Sequence, residues 1–178
     1  MRKCGECNLC CKLVPVASKL EGFPKPANQA CVFQKHRKGC SVYGDIDKRP
    51  RECFIWGCGW LSGMEGTEDM QRPDRTGFVI DPSPDFMTIE DKSTGKCTDL
   101  PLVQIWIGQV EEKAKIPNSL KRFWNFWASK GYGVVSRIDE RRAYLVYVYN
   151  GVFVFSFEKT TVMHTPEEKA KFMLSKLI

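Results

Sequence analysis

Tyr144-Leu145-Val146-Tyr147-Val148-Tyr149-Asn150-Gly151-Val152-Phe153-Val154-Phe155-Ser156-Phe157 is the stretch that decides the fold of the C-terminal region. Asn-Gly is the preferred pair for a two-residue type I′ turn, because both positions need positive φ. Such a turn sets the register, with Tyr149 opposite Val152 and Val148 opposite Phe153. One face of the hairpin then carries Tyr144, Val146, Val148, Phe153, Phe155 and Phe157. The other carries Leu145, Tyr147, Tyr149, Val152 and Val154. Both faces are apolar, so the hairpin is expected inside a sheet covered at least partly on both sides.

Working outward, Val134 to Ile138 reads as a further strand. Gly77-Phe78-Val79-Ile80-Asp81 and Phe86-Met87-Thr88-Ile89-Glu90 read as two strands joined by the turn chemistry of Pro82-Ser83-Pro84-Asp85. Leu102, Ile105, Trp106 and Val110 fall at helical spacing. Leu120, Phe123, Trp124 and Trp127 fall at i, i+3, i+4 and i+7, which predicts an amphipathic helix. Asn118 or Ser119 is placed to cap its start and Gly131 its end. Trp106, Trp124 and Trp127 read as core residues; a base-stacking platform would need them exposed beside Lys121 and Arg122. Thr165-Pro166-Glu167-Glu168 is a capping box with proline at the first helical position. It opens a last helix expected to bury Ala170, Met173, Leu174 and Leu177.

The 178 residues are about one domain's worth. At 43% hydrophobic and 27% charged, the composition excludes a disordered chain. No run reaches the ~18–20 apolar residues of a spanning helix, so no membrane partner is expected. Met1-Arg2-Lys3-Cys4-Gly5-Glu6-Cys7 has no apolar core of a secretory signal, and a cytoplasmic protein is expected, or one assembled from the cytoplasm into a larger particle.

Eight of the nine cysteines lie between Cys4 and Cys58, and only Cys97 lies beyond. The chain therefore divides into a cysteine-rich metal-binding region (1–60), a connecting loop (61–76) within a Gly-, Ser-, Glu- and Asp-rich stretch from Gly57 to Pro73, and an α+β region (77–178), packed together as one unit. The expected fold class is α+β: a metal-stabilised N-terminal part plus a mainly antiparallel sheet with packed helices.

The spacing is Cys4-x2-Cys7-x2-Cys10-Cys11, then Cys31-x8-Cys40, then Cys53-x4-Cys58. Thiolates two residues apart reach one ion through a tight turn, a spacing that zinc sites use repeatedly. Iron–sulfur sites use it too, since C-x2-C-x2-C supplies three corners of a four-iron, four-sulfur cluster. In an extended segment Cys10 and Cys11 would point to opposite sides, each serving a different ion, or one ligating and one packing. Eight thiolates make two closed tetrahedral zinc sites with no open catalytic position. Disulfides are disfavoured by the expected reducing compartment and by the odd count. His36, between Cys31 and Cys40, is a possible replacement for one thiolate; its plainer reading is a solvated loop residue in the basic stretch Lys35-His36-Arg37-Lys38. Cys97 reads as a packed or free thiol. A nucleophilic pairing of Cys97 with His164 has no surrounding motif.

Cys4-x2-Cys7-x2-Cys10-Cys11 followed by Gly39-Cys40-Ser41-Val42-Tyr43 and Arg49-Pro50-x2-Cys53-x-Ile55-x2-Cys58-x-Trp60 resembles the YkgJ-like cysteine-cluster family, described as a zinc- or iron-chelating domain. The resemblance covers about residues 4 to 60, a third of the chain. It implies that Cys4, Cys7, Cys10, Cys11, Cys31, Cys40, Cys53 and Cys58 are the metal ligands. The family usually reads C-R-x-F-x-C, whereas Phe54-Ile55-Trp56-Gly57 stands between Cys53 and Cys58 here, with no arginine after Cys53. The C-terminal half matches no part of the pattern. A flagellin lysine methylase carries a related motif, but no glycine-rich methyl-donor loop follows a strand here, so methylation is not expected. Arg49 and Arg51 flank Pro50 in the motif and are expected to offset thiolate charge from just outside the ligand set. Tyr43 and Trp60 are expected to cover the site with apolar surface.

The net charge is +6. Two zinc ions bring four positive charges and eight thiolates bring eight negative ones, lowering it to about +2, so nucleic acid is a weakly supported partner. A protein partner is the stronger expectation, and the oligomeric state is not legible. HExxH, GxSxG and P-loop motifs are missing, which argues against hydrolytic catalysis. The first expectation is a metal-binding structural or protein-interaction protein with one or two zinc ions, such as a subunit of a larger cellular or viral assembly. The alternatives are an iron–sulfur protein with a redox or enzymatic role, and a nucleic-acid-binding module.

Overall fold

Asn150 and Gly151 sit at φ 48° and 76°, the positive pair that a type I′ turn requires. Around them Tyr149 pairs with Val152, Val148 with Phe153, Val146 with Phe155 and Tyr144 with Phe157, in the expected register. The computed structural model describes residues 2–36, 38–91, 93–108, 116–159 and 164–175. The elements of the N-terminal part are α1 (Leu9–Leu13), β1 (Gln34–Lys35), β2 (Gly39–Cys40), α2 (Arg51–Ile55), α3 (Gly59–Ser62) and α4 (Pro73–Thr76). They are followed by β3 (Val79–Asp91), β4 (Lys96–Trp106), α5 (Asn118–Ser129), β5 (Gly133–Arg137), β6 (Ala143–Tyr149), β7 (Val152–Glu158) and α6 (Pro166–Ser175). The architecture is α+β, with a mostly antiparallel five-stranded sheet in the order β3-β4-β5-β6-β7. Only β4 and β5 pair in parallel, and α5 lies in the crossover that such a pair needs.

Two layers cover the sheet. On one face α5 buries Leu120, Phe123, Trp124 and Trp127 against Phe78, Ile80, Val103, Ile105, Val134 and Val146. Trp124 Nε1 donates to Ser136 Oγ at 2.7 Å, which satisfies the indole inside this core. Gly131, at φ 83°, ends α5 as expected; its N–H reaches Ala128 O at 3.0 Å. The N-cap is Pro117, with no side-chain cap from Asn118 or Ser119. On the other face Val79 and Trp106 pack under Leu13 and Val14 of the cysteine-rich part. A Cβ on Gly59 would stand 2.7 Å from Ile80 Cγ2, so only glycine lets α3 lie this close to β3.

Several sequence expectations change. Leu102, Ile105 and Trp106 are not helical; they belong to β4, buried from Leu102 to Trp106 because both faces are covered. Val110 lies outside the described residues. The two strands around Pro82 and Pro84 are one strand, β3, whose register shifts between Asp81 and Asp85. An edge strand with a bulge tolerates both prolines, since neither has to donate to the ladder. The stretch 61–76 is not all loop, because the end of α3 and α4 fall within it. The hairpin is not covered on both sides throughout: β7 is an edge strand, with Val152, Phe153, Phe155 and Phe157 exposed.

The capping box forms, with Thr165 N–H donating to Glu168 Oε2 at 2.7 Å and Glu168 N–H to Thr165 Oγ1 at 3.3 Å. The face buried by α6 differs from the expected one. Phe172 is buried, whereas Ala170, Met173 and Leu174 are exposed, and Leu177 lies outside the described residues. The reason is a polar anchor at the β3 bulge. Asp85, 3% exposed, accepts from Gln104 Nε2 at 2.7 Å and pairs with Lys169 Nζ at 2.9 Å and His164 Nδ1 at 3.1 Å. Arg137 Nε donates to Gln104 Oε1 at 2.7 Å behind it. Phe86 stacks between His164 and Phe172, with centroids 3.9 and 4.6 Å away. Orienting Lys169 toward Asp85 turns Phe172 inward and Leu174 outward. Removing one member of a buried charged set leaves the others unpaired. Asp85→Ala is therefore expected to cost about 3–5 kcal/mol in urea denaturation. Asp99→Ala, at an exposed residue bonded to Thr88 Oγ1, is expected to stay within about 0.5 kcal/mol.

Candidate metal centre

Short, tightly bonded segments hold the eight N-terminal cysteines. Cys7 N–H donates to Cys4 O at 3.0 Å, closing the first turn. Cys10 and Cys11 lie in α1, not in an extended segment, so their side chains diverge by about 100° rather than pointing oppositely. Cys10 packs with Leu9, Trp56 and Cys58 against the layer formed by Leu13, Val14, Val79 and Trp106. Cys11 faces elsewhere, and its carbonyl accepts from Cys31 N–H at 2.9 Å. The β1–β2 ribbon carries Cys40 opposite Gln34. Gly39, at φ 79°, has Gly5 O 2.7 Å from where a Cβ would be, so the ribbon lies directly on the first cysteine turn. Cys53 sits in α2 and Cys58 at the N-cap of α3.

Nearby backbone N–H groups favour the thiolate at four of the sulfurs: those of Leu9 and Asp74 at Cys7, of Phe33 and Gln34 at Cys31, of Val42 at Cys40, and of Trp60 and Leu61 at Cys58. Asp74 apart, each lies two or three residues after its cysteine. All nine thiols are free.

The thiols act on one another through charge: Cys4 feels Cys7 and Cys58, Cys10 feels Cys4 and Cys58, and Cys53 feels Cys31 and Cys40. Cys11 acts on Cys4, Cys10, Cys31, Cys40 and Cys53 alike, and itself feels Cys10 and Cys7. Within the bonded pair Cys4–Cys7, the shared proton holds Cys4 up and lowers Cys7 to about 6. In the pair Cys10–Cys11 it holds Cys10 up and lowers Cys11 to about 7, with Lys25 and Arg49 adding to the latter. Burial pushes Cys31, Cys40 and Cys58 up, and Cys53 up to about 11. Among the described residues, no three His, Cys, Asp or Glu side chains converge closely enough to form a ready metal cage. The chemistry of the donor set suits a thiophilic ion: eight thiols, amide donors on four sulfurs, and two nearby cations.

Other expected residues take varied places. Arg49 donates to Tyr43 O at 3.2 Å and to Cys53 O, and lies over the Tyr43 ring at 4.4 Å. Its positive charge lowers Cys11, Cys40 and Cys53. Arg51 is exposed on α2, and His36 is exposed on the turn between β1 and β2. Tyr43 is half exposed and covers Arg49. Trp60 donates to Met70 O at 2.8 Å and carries Arg2 over its ring at 5.1 Å. Cys97 is exposed on β4 opposite Glu90, and His164 is engaged with Asp85, so the two do not form a pair.

Three contributors were missed. Lys25 is 3% exposed and donates to Lys12 O at 3.4 Å, Pro26 O at 3.1 Å and Gln29 O at 3.0 Å. Arg2 reaches Trp60 O, Thr67 Oγ1, Thr67 O and Glu68 O at 2.6–3.0 Å, pinning the first cysteine turn to the α3 segment. Trp56 Nε1 donates to Asp81 Oδ1 at 2.9 Å and ties the end of α2 to β3. Their one local signal is that Lys25 lies between Pro24 and Pro26, where little chain freedom is left.

No family model matches the chain, no curated protein matches it, and no solved structure matches it. Among the described residues, no helix is long and apolar enough to cross a membrane.

The grouping of thiols separates Cys7 and Cys53 from Cys97. Cys7→Ser or Cys53→Ser is expected to lower the thermal midpoint by about 10 °C or more. Cys97→Ser is expected to shift it by about 1 °C or less. Circular dichroism melts check both; a Cys7→Ser protein that melts like the parent would remove Cys7 from the ligand set.

Proposed function

We propose that this protein is a metal-binding structural or protein-interaction protein whose N-terminal thiolates hold zinc. The observation that carries the reading is the presence of eight free cysteines in the short turns of residues 4–58, with Cys10 and Cys58 packed against one apolar layer. The eight thiolates would hold two ions, four to each. Zinc supplies no redox chemistry; it supplies folding free energy to a segment with too few buried aliphatics to fold well alone. The motif resemblance to the YkgJ-like cysteine-cluster family supports the same reading. Closed four-thiolate sites leave no ligand position for substrate, so the reading is not enzymatic. The exposed edge of β7, with Val152, Phe153, Phe155 and Phe157, supports a protein partner, because exposed strand edges invite pairing.

One observation favours a second reading. Cys4, Cys7 and Cys10 with the distant Cys58 form the C-x2-C-x2-C plus remote cysteine that a four-iron, four-sulfur cluster takes. Trp106, Trp124 and Trp127 are buried and do not offer a stacking platform for bases, which leaves the nucleic-acid reading on the positive net charge.

Elemental analysis with a visible spectrum, on protein purified without oxygen, tests the proposal. About two zinc ions per chain and no absorbance near ~400 nm are expected. Iron with acid-labile sulfide would replace zinc by the cluster reading, and a folded chain without metal would overturn both. Chelation of the zinc is expected to lower the thermal midpoint, with recovery on adding zinc back.

A further inference from the structure

β3 and β7 form the two edges of the sheet, and they are built differently. The β3 edge is guarded against pairing. Pro82 and Pro84 have no N–H to donate, the register shifts between Asp81 and Asp85, and Glu90 is charged and exposed near the end of the strand. β7 has none of these devices. Val152-Phe153-Val154-Phe155-Ser156-Phe157 runs without proline or charge, in unbroken register with β6. Among the described residues no strand pairs with its outer edge. A regular apolar edge of this kind is a template for another strand.

The turn fixes which main-chain groups that edge offers. In a two-residue type I′ hairpin the residues beside the turn, Tyr149 and Val152, exchange both hydrogen bonds. Bonded pairs recur at every second residue. Val152, Val154 and Ser156 therefore direct N–H and C=O to β6, while Phe153, Phe155 and Phe157 direct theirs outward. Those three side chains share the α5 face of the sheet. The Phe155 ring centroid lies 5.7 Å from Trp124 and 5.6 Å from Tyr144, and that of Phe157 lies 5.1 Å from Tyr144. Phe153, Phe155 and Phe157 are still 49%, 50% and 41% exposed.

The outward positions carry the same residue, spaced evenly about Phe155. An antiparallel copy turned about a two-fold axis at Phe155 puts Phe155 opposite Phe155 of the partner subunit and Phe153 opposite Phe157 of the partner subunit. This register pairs all three outward residues and forms about six main-chain hydrogen bonds. Glu158, the one charged residue of β7, falls about 20 Å from its own copy, so no like charges meet. With ~200 Å² for a whole ring, the three rings offer roughly 300 Å² of apolar surface per copy. Both copies together, with Val152 and the main chain added, come to about 1,000 Å², where specific interfaces begin.

We propose that two copies of this chain pair through β7, antiparallel and centred on Phe155, joining two five-stranded sheets into one. The inference rests on the protein-interaction part of the reading above and names the partner as a second copy. The small area makes the dimer weak, half formed at roughly 1–100 µM.

Sedimentation equilibrium of the full chain, from below to above that range, tests this together with amide hydrogen exchange at both ends of it. The mass is expected to rise from 20.4 kDa towards twice that value. The Phe153, Phe155 and Phe157 amides are expected to exchange about threefold or more slowly at the high concentration. Phe155→Lys sets two ammonium groups against each other at the axis and is expected to weaken the dimer about a hundredfold. Should it not fold, Phe153→Pro decides, since position 153 gives no N–H to β6; it is expected to weaken the dimer about tenfold. A parent chain that stays monomeric throughout, leaving the edge to a strand of another protein, would overturn the proposal. So would a dimer whose β7 amides exchange as in the monomer, or one that both folded variants leave intact. Zinc content of the same samples keeps the two levels apart. A folded dimer without zinc sinks the metal reading alone, whereas a zinc-loaded monomer sinks this inference alone.

Discussion

Val79 and Trp106 face each other across the β3–β4 pairing, and the apolar layer they form beneath Leu13 and Val14 is the contact on which the rest of the molecule depends. Without it the Val79 and Trp106 end of that face would be bare, and the cysteine segment would have no floor. Side chains alternate along these strands, so Ile80 and Ile105 serve the α5 core while Val79 and Trp106 serve the cysteine side. Cys10 and Cys58 lie against this layer, so the thiol cluster is built partly on the sheet. The two parts of the chain share one interior.

The same face carries the Asp81 and Asp85 carboxylates. Asp81 accepts from Trp56 at the cysteine end, and Asp85 gathers Gln104, His164 and Lys169 at the α6 end. Both carboxylates flank the β3 bulge that Pro82 and Pro84 impose. The bulge breaks the ladder locally and leaves side chains to satisfy what the backbone does not. The irregularity thereby serves two attachments, one for α2 and one for α6.

Local sequence chemistry was legible where it acts over a few residues. The Asn150-Gly151 turn, the apolar stripe of α5, the Gly131 helix end and the Thr165–Glu168 capping box all form as read. Their signals are steric or hydrogen-bonded within one turn of chain. Misreadings fell where burial on two faces hides the period. Leu102, Ile105 and Trp106 satisfy helical spacing, but a strand covered on both sides has no alternation to contradict it. The face of α6 was misjudged because Lys169 must reach Asp85, about eighty positions away in the chain, and that ion pair rotates the helix.

For the candidate site, the amino-acid sequence by itself determined the donors: eight cysteines, their short spacings, and Arg49 beside them. Only the tertiary structure decided that Cys10 and Cys58, far apart in the chain, pack against the same layer of Val79 and Trp106. Only it decided that Lys25 is buried, that Arg51 is not, and that β7 is left uncovered. These outcomes follow from which surfaces exclude water and which charges meet, and both depend on chain segments far apart in sequence.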